Sequence, residues 1–152
     1  MKDNIISFIV TCGGAGRIKY FPGTFGSFIG LLLGITIILF TSHNFFLICF
    51  FALMVIAIFS TEEYLKTSES SDPQEIVIDE VLGQWIAIAF IPFTSLSLLL
   101  AFIIFRFLDM TKLYPINKIE KIKGYIGVIG DDIFAGIITS LIIITLHIFK
   151  VL

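Results

Sequence analysis

Phe105-Arg106-Phe107-Leu108-Asp109-Met110-Thr111-Lys112-Leu113-Tyr114-Pro115, followed after a short basic segment by Gly127-Val128-Ile129-Gly130-Asp131-Asp132-Ile133-Phe134-Ala135-Gly136, is the stretch on which the reading of this chain turns. It leaves one apolar run through Arg106 and Asp109, crosses a loop holding Lys118, Lys121 and Lys123, and enters another apolar run through Asp131 and Asp132. A carboxylate or guanidinium at the edge of an apolar span costs on the order of several kcal/mol unless it is paired, hydrated or bound to an ion. Residues placed that way point to a functional site.

The rest of the chain supplies the apolar setting. Its 152 residues are 57% hydrophobic and only 14% charged, and the mean hydropathy is +1.03. That is too little polar material to coat a soluble domain. The apolar residues fall in long blocks, which predicts an all-α integral membrane protein. The expected architecture is one domain over residues 1–152, a compact bundle of about four to five transmembrane or re-entrant helices plus a short N-terminal interfacial helix. A formal net charge of -2 with scattered basic residues gives no sign of nucleic-acid binding. Cys12 and Cys49 lie in apolar surroundings without metal-ligand spacing and read as buried small residues. Arg17 and Lys19 stand where a signal peptide would need a small-residue cleavage site, so none is expected.

In chain order, Ile5 to Cys12 is too short to span and reads as the interfacial helix, ended by Gly13, Gly14 and Gly16. Spans are expected over Phe25 to Phe40, Phe45 to Ser60, Leu96 to Met110 and Ile133 to Phe149. A shorter apolar segment, Val81 to Phe93, must be tilted, extended by its acidic end, or re-entrant. Gly26, Gly30 and Gly34 recur every fourth residue and form a stripe where another helix can approach closely. Glu62, Glu63, Lys66, Glu69 and Asp72 mark a solvent-exposed helix end and loop. His147 falls near the end of the last apolar helix and reads as incidental.

Charge placement sets the topology. If the first span starts in the cytoplasm, the segments 1–23, 61–80 and 110–132 share that face, and almost every Lys and Arg falls on it. Asp79-Glu80 then begin a helix, Asp109 ends one and Asp131-Asp132 begin another, all at the same membrane face. Glu80, Gly83, Gln84 and Ala87 form one small and polar helical stripe, and Asp132, Gly136, Thr139 and Ser140 form a second. Turned inward, these faces bring five carboxylates near Arg106 and Lys112. Five ionised acids so close repel and raise one another's pKa unless a counter-charge is present. A divalent cation supplies one, and oxygen-only ligands with no His or Cys nearby favour a hard ion such as Mg²⁺.

Structural alternatives exist for each part. Adjacent acids suit a helix N-terminus through its dipole and capping, and Arg106 with Asp109 also fits an ordinary intramembrane ion pair. Lys118, Glu120, Lys121 and Lys123 fit a solvated loop or a surface touching anionic headgroups. Pro22-Gly23-Thr24-Phe25-Gly26-Ser27 has the chemistry of an anion site, with loop amides and two hydroxyls at a helix start, but helix caps use the same residues. A small ion-coupled transporter or channel subunit also uses clustered intramembrane acids, although its site belongs near the bilayer midplane.

Four motifs together carry a resemblance: Pro22-Gly23-Thr24-Phe25-Gly26-Ser27; Ile78-Asp79-Glu80-Val81-Leu82-Gly83-Gln84-Trp85; Phe105-Arg106-Phe107-Leu108-Asp109-Met110-Thr111-Lys112 with Pro115; and Asp131-Asp132-Ile133-Phe134-Ala135-Gly136. In this order, over nearly the whole chain, they resemble the phosphatidylglycerophosphatase A family. The chain departs from that pattern at Leu113, where proline is usual, and at Gly130, where a bulky apolar residue is usual. The resemblance implies a Mg²⁺-dependent lipid phosphatase of the bacterial inner membrane, acting at the cytoplasmic face. Its substrate would be phosphatidylglycerophosphate, and its products phosphatidylglycerol and inorganic phosphate. On that basis Asp79, Glu80, Asp109, Asp131 and Asp132 are the expected metal and catalytic set. One of them would be the general base for an attacking water, with a carboxylate nucleophile as the other route. Arg106 and Lys112 are expected on the phosphate oxygens, and Thr24 and Ser27 on the headgroup. Oligomeric state is left open.

Overall fold

The computed structural model describes residues 2–68, 70 and 73–151; the expectations for Glu69 and Asp72 lie outside the described residues. Among the described residues seven α-helices follow one another: α1 (Lys2–Val10), α2 (Pro22–Phe40), α3 (His43–Thr67), α4 (Ile78–Ala89), α5 (Ser95–Thr111), α6 (Ile116–Ile119) and α7 (Tyr125–Ile148), with a 3₁₀ turn at Ala15–Arg17. Among the described residues there is no strand.

Local chemistry sets the boundaries. Pro22 occupies the first turn of α2, where its missing N–H has no intrahelical role. Ser42 caps α3 by accepting from the Phe45 N–H at 3.2 Å, and Thr94 caps α5 by accepting from the Ser97 N–H at 3.1 Å. α5 ends where Lys112 turns left-handed at φ 45°, and α7 starts after Gly124 at φ 80°. α7 therefore begins at Tyr125, well ahead of the span expected from Ile133. Asp131 and Asp132 do not begin this helix but sit about two turns inside it. The loop's glycine break falls at Gly124, whereas the loss of apolar character falls at the aspartates, and the two are different events. Likewise Pro22 to Ser27 is already helix rather than loop, because proline at the first position nucleates it.

Three helices, α2, α3 and α7, are long and apolar enough to cross a membrane. Only 28% of the most apolar window of α3 is buried, against 56% in α7. Phe51, Val55 and Phe59 of α3 and Phe28, Leu32 and Leu33 of α2 are left exposed. These greasy exteriors are the surfaces that lipid covers. α4 is different. With 12 residues it is about 18 Å long, short of a hydrocarbon core of about 30 Å, and it is buried on nearly every side.

Glycines let the neighbours close on α4. A Cβ added at Gly30 would lie 3.0 Å from Val81 Cα, and one at Gly26 would lie 2.8 Å from Val77 Cβ. Trp85 Nε1 donates to the Gly30 carbonyl at 2.7 Å, tying α4 to α2 across this gap. On the other flank Gly136 of α7 packs on the Gly83 carbonyl, and a Cβ there would overlap it. The far end of α4 meets α3, where the His43 and Phe90 rings stand 6.5 Å apart. At the near end the Val77 N–H donates to the Val10 carbonyl at 2.9 Å, which holds the α1 terminus against the start of α4. Cys12 and Cys49 are half-buried rather than fully enclosed. Burial, with the Glu80 charge adding to it, pushes the Cys12 thiol up to about 12, so it is a protonated packing group without thiolate chemistry.

Gly30→Leu and Gly136→Val are expected to lower stability by about 1–3 kcal/mol or more, because each forces two helix backbones apart. Thermal unfolding in detergent checks this, and unchanged melting of both variants would contradict it.

Candidate active site

Three elements deliver the acids. Asp79 and Glu80 occupy the first turn of α4, Asp109 the last turn of α5, and Asp131 and Asp132 the early part of α7. The four aspartates are only 2% to 7% exposed. They divide into two groups by their partners.

Asp79, Glu80 and Asp132 form the first group, each offering a carboxylate oxygen within 4.8 Å of the others. Asp109 and Asp131 form the second and are held by cations. Arg106 Nη1 donates to Asp109 Oδ2 at 2.5 Å, Lys112 Nζ donates to Asp109 Oδ1 at 2.9 Å, and Lys112 Nζ also donates to Asp131 Oδ2. The two groups touch at their edges, with Glu80 Oε1 4.0 Å from Arg106 Nη1 and Asp132 Oδ1 4.0 Å from Lys112 Nζ. Burial works against the charge on Lys112, but Asp132, Asp109 and Asp131 outweigh it and raise its pKa, so this ammonium stays charged.

Buried polar atoms without partners mark what the site lacks. Glu80 Oε2, Asp132 Oδ1 and Arg106 Nε are all buried and make no hydrogen bond. Native interiors rarely leave such atoms unsatisfied, and a site for an ion or ligand is a standard reason. Two carboxylate oxygens of the acidic trio want a cation, while the Arg106 N–H wants an acceptor. The donor set fits a hard divalent cation beside an oxyanion.

Gly23 and Ser27, one turn apart on α2, close the site from the side. A Cβ at Gly23 would overlap Glu80 Oε1 and lie 3.0 Å from Arg106 Nη2, so only glycine admits that carboxylate. Ser27 Oγ donates to the Gly23 carbonyl at 2.9 Å and accepts from Arg106 Nη1 at 3.2 Å. Ser27 thus orients the guanidinium. Thr24 is half-buried and lies outside the lining of the recess.

All five acids, Arg106 and Lys112 face one recess of about 490 Å³. Its lining also includes Lys19, Phe21, Pro73, Gln74 and Glu120, which lie outside the motifs, and Met110 from the third motif. Carboxylates outnumber cations in it two to one, an excess that repels an anionic substrate unless further positive charge enters. Lys19 reads in sequence, with Arg17 and Tyr20, as a basic, aromatic interface loop, and only the fold places it on the recess. Gln84, on the helical stripe that starts at Glu80, is fully buried with both amide atoms unpaired.

Fold and site together define a helical membrane protein whose acidic cluster is suited to a metal ion and whose flanking cations are suited to a phosphate. Comparison with known proteins gives the family. The family model described as phosphatidylglycerophosphatase A matches residues 8–147, and the chain belongs to that family of phosphatases. A Haemophilus influenzae protein named phosphatidylglycerophosphatase A is 30% identical over 146 residues, covering 95% of this chain and 90% of its own. An Escherichia coli protein of the same name is 30% identical over 129 residues, covering 84% and 74%. A Bacteroides thetaiotaomicron protein, named provisionally as a phosphatidylinositol-3-phosphatase, is 29% identical over 136 residues, covering 86% of each chain. No solved structure matches this chain.

The pairing pattern predicts that Lys112→Met leaves Asp109 and Asp131 partly uncompensated and lowers stability by about 2–3 kcal/mol, less than for a fully enclosed pair because the lysine side chain is 27% exposed. Lys112→Arg, which keeps the counter-charge, should avoid most of that loss. Detergent melting curves of the two variants decide this, and equal curves for Lys112→Met and the parent protein would refute the pairing.

Proposed function

We propose that this protein hydrolyses phosphatidylglycerophosphate to phosphatidylglycerol and inorganic phosphate, the last step of phosphatidylglycerol synthesis, using Mg²⁺. The observation that carries the reading is the convergence of Asp79, Glu80 and Asp132 within 4.8 Å, beside Arg106 and Lys112, in a chain of this family. Asp79, Glu80 and Asp132 hold the cation in this proposal. Bound there, it supplies neutralisation of the phosphoryl oxygens and acidification of water.

The chain's own residues do the rest. Arg106, with its unpaired Nε–H, and Lys112 bind the phosphoryl oxygens and keep the group in line for attack. Asp109 and Asp131 hold those two cations in place, and Ser27 fixes the guanidinium from α2. Water's oxygen bonds to phosphorus as the ester P–O bond breaks, its proton passes to a carboxylate of the cluster, and a proton returned from that carboxylate lets the ester oxygen leave as the alcohol of phosphatidylglycerol. The buried walls keep bulk water from competing with these contacts.

The chain acts as a single domain in the bacterial inner membrane, with the recess toward the cytoplasm. Supporting that orientation, eight of the ten Lys and Arg residues (Arg17, Lys19, Lys66, Arg106, Lys112, Lys118, Lys121 and Lys123) belong to segments at the recess end, whereas Lys150 lies at the other. The acyl chains stay in lipid while the headgroup enters from the interface. A transport role receives no such support, because the acids gather at one end of the bundle rather than at mid-depth.

Purified protein is expected to release phosphate from phosphatidylglycerophosphate in mixed micelles with Mg²⁺, and to stop when EDTA is added. Asp132→Asn should lose about 100-fold or more in kcat/KM. Metal-independent release, or full activity of Asp132→Asn, would refute the mechanism.

A further inference from the structure

Of the three cations lining the recess, Arg106 and Lys112 are engaged by carboxylates, whereas Lys19 has no carboxylate partner among the described residues. Its Nζ lies over the face of the Tyr20 ring, 5.6 Å from the centroid. Lys19 is exposed, unlike the buried acids at the floor, so it belongs to the rim. Phe21 and Met110 share that rim and are 67% and 61% exposed. Large apolar side chains on the rim of a recess in a membrane protein mark the side from which acyl chains approach. The recess is therefore ordered from lipid to floor as an apolar rim, the exposed Lys19 ammonium, and then the paired cations with the acidic trio.

A lipid with two phosphates has the same order. Its acylated glycerol comes first, then a phosphodiester, then the bridging alcohol, and last the phosphomonoester. We propose that Lys19 determines specificity by binding the phosphodiester between the acylated glycerol and the phosphomonoester that is cleaved. The inference rests on the functional reading above and names what that site selects. Phosphatidate, whose only phosphate is joined directly to the acylated glycerol, has no group to place at Lys19 when its monoester reaches the floor. Both phosphates cannot use Arg106 and Lys112, because those cations sit together at the floor and already share Asp109.

The contact forms with the bound lipid before and during reaction alike, so its loss should appear in KM and leave kcat alone. Lys19→Gln is expected to raise KM for phosphatidylglycerophosphate about tenfold, with kcat changed by less than about twofold; a charge-assisted hydrogen bond at a partly wet rim accounts for that size. Lys19→Arg should stay near the parent value. Inhibition by inorganic phosphate, which occupies only the floor, should be unchanged in Lys19→Gln. An unchanged KM, a loss confined to kcat, or an equal weakening of phosphate inhibition would each overturn the assignment. Parent protein that releases no phosphate from this lipid would remove the functional reading and the inference with it. Normal turnover with an unaffected Lys19→Gln variant would remove the inference alone.

Discussion

A helix of 12 residues cannot span a bilayer, and lipid offers nothing to its exposed backbone ends, so α4 must be enclosed by protein. Glycines make that enclosure possible. Gly26 and Gly30 let α2 close on Val77 and Val81, while Gly83 and Gly136 let α7 cross at backbone contact. The Trp85 hydrogen bond to Gly30 then fixes the rotation of α4 against α2. Once α4 is fixed in depth and rotation, its first turn carries Asp79 and Glu80 against Asp132 on α7. The site is thus a consequence of how a short helix is packed, and side chains far below it decide its geometry.

The electrostatics follow from the same enclosure. Burying so many carboxylates is tolerable only where each has a counter-charge or hydrogen-bond donor. Asp109 and Asp131 find theirs in Arg106 and Lys112, and the main-chain N–H groups of Glu80 and Asp132 donate to Asp79 and Asp131 at 3.0 Å. Glu80 Oε2 and Asp132 Oδ1 accept no hydrogen bond among the described residues. The network is complete on one side and open on the other, and the open side is where a cation fits. The acids that looked equivalent in sequence thereby separate into a trio that can face a metal and a pair that steadies the two cations.

Much of this was legible in the chain itself. Long apolar blocks announced a membrane bundle, the four-residue glycine spacing announced close helix contact, and charge at the ends of apolar runs pointed to a shared face. The start of α7 was not legible from hydropathy, because Tyr125 to Gly130 continues the helix while the aspartates interrupt its apolar character. The division of labour among the acids was not legible either. It depends on Lys112, whose left-handed turn after α5 lets Nζ reach Asp109 and Asp131 at once. Lys19 escaped for a related reason, since beside Arg17 and Tyr20 it reads as part of a basic interface loop and gains a place in the site only when folding brings it to the rim.

Divalent-cation binding tests the central claim most directly, because it does not depend on which lipid is the substrate. Mn²⁺ can stand in for Mg²⁺ and be followed by paramagnetic resonance in detergent-purified protein. The account predicts saturable Mn²⁺ binding that Mg²⁺ displaces and that a Glu80→Gln/Asp132→Asn double variant loses while keeping its melting behaviour. Equal binding by the parent and the double variant, or no saturable binding by the parent, would contradict it.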